Sequence, residues 1–271
     1  MRNTWLFVPG HEPHKIRKAL SSNADVIIID WEDGVPHDQK EEAHRQTRAA
    51  LAITPPGHVV VRINSPKTSW YADDLLVIKA LHVSAIMVPK AEDPADIEAV
   101  GSAGVPIIPL IESALGVEQA FALARAHPLV ERLALGPLDL LADIGARWTP
   151  QGEALSYART RLVVAARAAG LGGMIDGVYP HLTDLEGLRQ DAVLARTLGC
   201  VGKLLLHPRQ IEVVHEVFQP TRQEVEQARL IVKAAQDAAL SKRTAIQVEG
   251  IFIDPPVVRR AYQTLQTLGD V

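Results

Sequence analysis

Eight short apolar runs recur along this chain, and a helix-like stretch separates each from the next. They are TWLFVP (4–9), DVIIID (25–30), HVVVRI (58–63), AIMVPK (85–90), PIIPLI (106–111), RLALG (132–136), MIDGVY (174–179) and GKLLLH (202–207). Rich in β-branched residues and barely alternating, the runs read as parallel strands buried on both faces. Strand–helix alternation repeated eight times predicts an α/β protein, a (β/α)8 TIM barrel, with its chemistry in the loops that follow the strands.

The intervening segments suit that architecture. Residues 13–22, 38–52, 69–81, 93–102 and 114–126 are predicted helices behind the first five strands, and 183–198 and 208–218 behind the last two. The longest insertion follows the sixth strand, where Gly145 and Trp148-Thr149-Pro150 predict a break between a short and a long helix. A barrel domain therefore spans residues 1–218, and residues 219–271 form a C-terminal helix–ribbon–helix arm. The arm combines a helix over 222–240, a strand pair over 244–254 around Gly250, and a helix opened by Pro255 and Pro256. It is too small to fold alone, so it is expected to pack on a neighbouring subunit of a homo-oligomer.

Composition narrows the function. A net charge of −4 argues against a dedicated nucleic-acid binder, so an anionic ligand must be caught by local basic residues. The single cysteine, Cys200, excludes an intramolecular disulfide and a cysteine-based zinc site, and reads as a small apolar residue behind the last strand. No apolar run approaches the roughly 20 residues needed to span a bilayer. The N-terminus lacks the long apolar stretch of a secretory signal. A cytoplasmic enzyme without nucleic-acid or membrane partners is the expectation.

The strand ends carry the candidate chemistry. Glu112 in PLIES and Asp139 in GPLDL follow the adjacent fifth and sixth strands. Either acid alone reads as a helix cap; the pair reads as a site for Mg²⁺, which takes one or two carboxylates and completes its shell with water and substrate oxygens. Arg62 leaves the third strand towards the same rim, to hold an oxyanion bidentately or to neutralise the acids. In IIIDWEDGV, Asp30, Glu32 and Asp33 are candidates to bind metal-ligated water, to anchor Arg62, or to fasten the loop. His207 could act as a base or a substrate donor, but standing before a proline that opens a helix it reads as a structural residue or a support behind the site. Lys15, Arg17 and Lys18 follow the first strand, either to grip phosphates or as a solvated helix face. The chain has no GxGxxG, P-loop or GxSxG signature. Lys90 and Lys203 are the candidates for a Schiff-base lysine.

The ordered series TWLFVPG, IIIDWEDGV, VVVRINS, IMVPKAE, PLIESALG, LALGPLDLLADIG, GKLLLHPRQI and VEGIFIDPPV resembles the citrate lyase β-subunit-like branch of the HpcH/HpaI aldolase superfamily, which includes malyl-CoA and citramalyl-CoA lyases. The resemblance runs from about residue 4 to residue 260. It implies a Mg²⁺-dependent barrel (Mn²⁺ being a substitute) that cleaves a carbon–carbon bond in a β-hydroxyacyl thioester, with CoA as part of the substrate. It further implies metal binding by Glu112 and Asp139, a catalytic Arg62, and an arm acid, Asp254, that reaches a neighbour's active site in a trimer or hexamer. Trp31 and Pro137 depart from the pattern near the metal loops. The expected reaction converts a malyl-CoA- or citramalyl-CoA-type substrate to acetyl-CoA and a 2-oxo acid. The alternatives are a CoA-independent 2-oxo-acid aldolase and a citrate lyase subunit acting on an acyl-carrier-protein thioester.

Overall fold

In a computed structural model of the chain, which describes residues 2–52, 58–240, 246–248 and 251–267, the apolar runs form eight parallel strands. These are β1 (Thr4–Pro9), β2 (Val26–Asp30), β3 (Val59–Arg62), β4 (Ala85–Val88), β5 (Ile107–Ile111), β6 (Leu133–Leu135), β7 (Met174–Asp176) and β8 (Gly202–Leu205). Each pairs with its neighbours in sequence, and β8 pairs back onto β1, closing a (β/α)8 TIM barrel. Helices α1 (Pro13–Leu20), α2 (Lys40–Leu51), α3 (Tyr71–Ile78), α4 (Pro94–Val100), α5 (Ala114–Glu118) and α6 (Ala120–Arg125) fill the first five connections. Helices α7 (Pro137–Asp143) and α8 (Ser156–Ala168) follow β6, α9 (Leu185–Leu198) follows β7, and α10 (Ile211–Phe218) follows β8.

Two boundaries differ from the sequence expectation for physical reasons. The run AIMVPK stops being strand at Val88, because Pro89 has no N–H to pair and Lys90 turns left-handed at φ 51°. The stretch 114–126 is two helices rather than one, since Gln119 sits at φ −82°, ψ 1°, off the helical path. The break predicted after β6 is present: Gly145 and Gly152 both adopt positive φ between α7 and α8.

The core has two layers, and strand alternation decides which residue enters which. Trp5, Val26, Ile28, Val60, Met87, Leu110, Ala134, Ile175 and Leu204 fill the barrel interior. Leu6, Ile27, Ile29, Val61, Ile86, Leu133 and Leu205 face the helices instead. Cys200 is buried in that outer layer, where burial pushes its thiol up.

Residues 2–218 make one compact unit and the described residues from 219 onward another. The second contains α11 (Arg222–Leu240), an antiparallel pair β9 (Ile246–Val248) and β10 (Ile251–Ile253), and α12 (Pro255–Gln266). Its own core is built from Val225, Ala228, Ile231 and Val232 with Ile253, Ala261 and Leu265. The expected turn at Gly250 lies outside the described residues. Among the described residues, no helix is long and apolar enough to cross a membrane.

Candidate active site

A cavity of about 340 Å³ opens at the C-terminal mouth of the barrel. Its charged lining is Asp30, Asp33, Arg62, Glu112 and Asp139, and Phe7, Leu110, Leu135, Val178 and Leu204 make much of the apolar remainder. Alternation explains the convergence. Ile28, Val60 and Leu110 point into the barrel, so Asp30, Arg62 and Glu112, two residues further along each strand, do so as well. Asp139 arrives differently, from the first turn of α7, and is exposed to the cavity.

Arg62 is the fixed centre. Its Nε and Nη2 donate to Asp30 Oδ1 and Oδ2, both at 2.7 Å, in a planar two-pronged bond. Nη1 lies 3.0 Å from Glu32 Oε2, and the guanidinium sits 4.9 Å from the centre of the Phe7 ring. Burial opposes the charged form of both partners, but Asp30 together with Glu32 and Glu112 outweighs it for Arg62, whose pKa is raised. Arg62 together with the N–H groups of Glu32 and Gly34 outweighs it for Asp30, whose carboxyl stays below the usual range. Asp30 also accepts the backbone N–H groups of Glu32 and Gly34, each at 2.9 Å. A side chain at Gly34 would start 2.3 Å from Asp30 Oδ2, so only glycine lets the loop wrap this carboxylate.

Glu112 has the opposite electrostatics. It is buried, and burial raises its pKa to about 8, helped by the charge of Glu32 and, more weakly, of Asp139; Arg62 and the Lys90 N–H pull the other way. Oε1 accepts that N–H at 2.7 Å. Oε2 faces Gly136, where a Cβ would sit only 2.4 Å away, so glycine keeps this oxygen clear. A buried carboxylate pushed towards protonation by other acids is a group short of positive charge. Among the described residues, no three His, Cys, Asp or Glu side chains converge as an all-protein metal cage. Two acids at an open mouth fit a hard divalent cation that keeps water and substrate oxygens in its shell. Glu112 and Asp139 are the residues that would hold it.

The other acids divide. Glu32 is buried between Arg62 and Lys90, with a close Lys90 Nζ contact to Oε1 and no hydrogen bond at Oε2. Asp33 is largely exposed, 3.3 Å from Lys90 Nζ. Lys40 is a residue that sequence reasoning missed. Buried, it donates to Trp31 O at 2.6 Å, Glu32 O at 2.8 Å and Asn64 Oδ1 at 2.7 Å, bracing the acid loop from behind. A lysine ten residues beyond the strand end carries no sequence signal for that role.

Several candidates stand away from the cavity lining. Lys15 pairs with Glu12 at 2.5 Å on the exposed face of α1, which Arg17 and Lys18 share. His207 caps the turn before α10, its Nδ1 accepting the Arg209 N–H at 3.1 Å. Lys203 points outward from β8 into a buried quartet, 2.6 Å from Asp176 and 2.5 Å from Asp191, both of which also bind Arg159. Lys90 is held protonated: burial lowers its pKa, but Glu32 and Asp33 raise it further than burial depresses it. Neither amine is a free nucleophile, which counts against Schiff-base chemistry. Asp254, in the C-terminal unit, caps α12 by accepting the Val257 N–H at 3.1 Å.

The HpcH/HpaI aldolase/citrate lyase family model matches residues 3–208. The chain belongs to this family. A (3S)-malyl-CoA thioesterase of Cereibacter sphaeroides is 36% identical over 265 residues, spanning 96% of this chain and 92% of its own. The citrate lyase β subunit of Leuconostoc mesenteroides subsp. cremoris is 34% identical, over 98% and 93% of the two chains. Among solved structures, CitE of Mycobacterium tuberculosis in complex with magnesium, acetoacetate and coenzyme A superposes with a TM-score of 0.84 at 32% identity, covering 98% of each chain. This is an enzyme family of aldolases and lyases, and in this chain the strand-end acids and arginine line the mouth of the barrel.

Proposed function

We propose that this protein is a Mg²⁺-dependent lyase that splits a short 3-hydroxyacyl-CoA of the malyl-CoA or citramalyl-CoA type into acetyl-CoA and a 2-oxo acid. The observation that carries the reading is the charge imbalance of the cavity: Asp30, Asp33, Glu112 and Asp139 line it, and among the described residues Arg62 is the single lining cation. A divalent ion offsets that excess, and the CitE relative binds magnesium and coenzyme A together. The remaining walls are apolar, so a second carboxylate on the 2-oxo acid would meet no free cation among the described lining residues. That favours a glyoxylate or pyruvate product over the oxaloacetate of a citryl thioester.

Held by Glu112 and Asp139, Mg²⁺ would supply Lewis-acid chemistry to the 2-oxo-acid half. Arg62, immobilised by Asp30, directs fixed positive charge at the cavity where oxyanion charge grows as the bond between C2 and C3 breaks. The hydroxyl proton passes to water as the 2-oxo group forms, the C2–C3 electron pair becomes the acetyl-CoA enolate, and that enolate takes a proton at C2. Asp254 from the arm of a neighbouring subunit is the proposed donor.

A second reading, thioester hydrolysis, is favoured by the thioesterase relative at 36% identity. Incubation with each 3-hydroxyacyl-CoA, with Mg²⁺ and with EDTA, separates the two. A lyase releases acetyl-CoA and 2-oxo acid in equal amounts, whereas a thioesterase releases free CoA and the intact hydroxy acid. Mg²⁺-dependent formation of free CoA with no acetyl-CoA at any time would overturn the lyase reading. Turnover of the free hydroxy acid would identify a CoA-independent aldolase, and a strict need for a carrier protein a citrate lyase subunit.

A further inference from the structure

Lys90 does nothing in the reaction proposed above, yet its backbone is unusual. Among the described residues, it is the only one other than glycine with positive φ, at 51°. A side-chain-bearing residue seldom adopts this conformation unless its surroundings enforce it. Two sets of contacts do so. On the backbone side, the Lys90 N–H meets Glu112 Oε1 at 2.7 Å, and the next N–H, of Ala91, meets Leu110 O at 3.2 Å. Successive N–H groups of an extended strand point to opposite sides; here both reach β5 and the residue just beyond it. A left-handed residue is a standard way to turn consecutive N–H groups towards one anion. On the side-chain side, Nζ contacts Glu32 closely and lies 3.3 Å from Asp33, tying the turn to the loop after β2.

We propose that Lys90 is a positioning residue whose strained backbone N–H holds Glu112 in its cation-binding orientation, while its ammonium, anchored on Glu32 and Asp33, keeps the backbone in that conformation. The inference rests on the reading of Glu112 as a cation ligand. Substitutions separate the two halves of the residue. Glycine adopts the left-handed backbone without penalty and needs no anchor. Methionine keeps the steric penalty and loses the anchor. Arginine keeps both.

The test is titration of the purified full-length protein with Mn²⁺ alone, followed by electron paramagnetic resonance of the free ion, with a thermal melt of each metal-free variant. The expected order is Lys90→Gly binding Mn²⁺ at least tenfold more tightly than Lys90→Met, with Lys90→Arg above Lys90→Met as well. If the ammonium mattered only as a nearby charge, Gly and Met would behave alike, both binding more tightly than wild type. If a side-chain contact alone mattered, both would be equally impaired. Either equality overturns the proposal, as does a Met variant that binds more tightly than Gly. Glu112→Gln distinguishes the two levels: unchanged Mn²⁺ binding there refutes the ligand reading, whereas lost binding with Gly equal to Met refutes the role of Lys90 alone. A Met variant that melts without a folded baseline is replaced by Lys90→Gln, which also carries a Cβ and no charge.

Discussion

Replacing Arg62 by methionine tests the centre of the site through stability as well as rate. The substitution removes three short contacts, to both oxygens of Asp30 at 2.7 Å and to Glu32 at 3.0 Å, and leaves two buried carboxyls behind. Breaking a buried pair in this way typically costs about 3–5 kcal/mol. For a domain of this size each kcal/mol lowers Tm by roughly 2–4 °C, so a fall of about 6–20 °C is expected at neutral pH. The pH dependence identifies the cause. In the wild type Asp30 has a depressed pKa, so it contributes stability above its unfolded value of about 3.9, lost only as pH falls through the lower folded value. Without Arg62, burial dominates and the folded pKa moves above the unfolded one. Asp30 then destabilises the variant at pH 8, and protonation relieves that as pH falls. Melting curves from pH 8 to pH 4.5 should therefore show the gap between variant and wild type narrowing on acidification. A gap that stays constant or widens would refute the assignment of the loss to a buried unpaired Asp30. In the acetyl-CoA release assay, loss of the oxyanion donor should lower kcat by about 10²–10³-fold.

Three further outcomes are expected. Glu112→Gln should abolish Mg²⁺-dependent turnover and yet stabilise the metal-free protein at pH 8.5, because burial raises the folded pKa to about 8, above the unfolded value, and the carboxylate form therefore costs stability; the gain in Tm should vanish by pH 5. Lys203→Met should lower stability by about 3–5 kcal/mol by unbalancing the buried quartet, while kcat stays within a few-fold, whereas a Schiff-base lysine at that position would leave no activity. For the proposed trans arrangement, Arg62→Ala and Asp254→Ala should each be nearly inactive, and mixing them under verified subunit exchange should restore activity; no recovery on mixing would place Asp254 in cis or outside the chemistry.

Much of the barrel was legible because parallel strands buried on both faces read as continuous apolar runs, whatever the helices between them do. Asp30, Arg62 and Glu112 were legible as site candidates because each lies at or just past a strand end. Alternation would have sorted them further: Asp176 also ends a strand, but Ile175 takes the inward position, so the acid turns outward to Arg159 and Lys203. Lys203 follows the same rule beside inward-facing Leu204. Other features left no mark in sequence. Glu112 is gripped by a main-chain N–H, which any residue but proline has, and the left-handed turn that aims it falls on a lysine rather than a glycine. Lys40 acts across a loop, on carbonyls, and no spacing encodes that.

Two groups of charged residues in the barrel unit are made of the same side-chain types and have opposite consequences. The quartet outside β7 and β8 sets Arg159 and Lys203 against Asp176 and Asp191, two positive charges against two negative, nearly all inaccessible. Its sum is zero, and the side chains serve one another. At the mouth, Asp30, Glu32, Asp33, Glu112 and Asp139 face Arg62 and Lys90, five acids against two cations among the described residues, with the third nearby cation, Lys40, bound to carbonyl oxygens behind the loop. Arg62 and Lys90 are already engaged by Asp30, Glu32 and Asp33, so the deficit falls on Glu112 and Asp139. Burial makes that deficit expensive for Glu112, and with the charge of Glu32 it pushes the carboxyl up to about 8 against the pull of Arg62. A cluster that balances itself needs nothing from solution, whereas one that leaves two carboxylates uncompensated beside an apolar cavity gains most from a divalent ion that brings an anionic ligand with it.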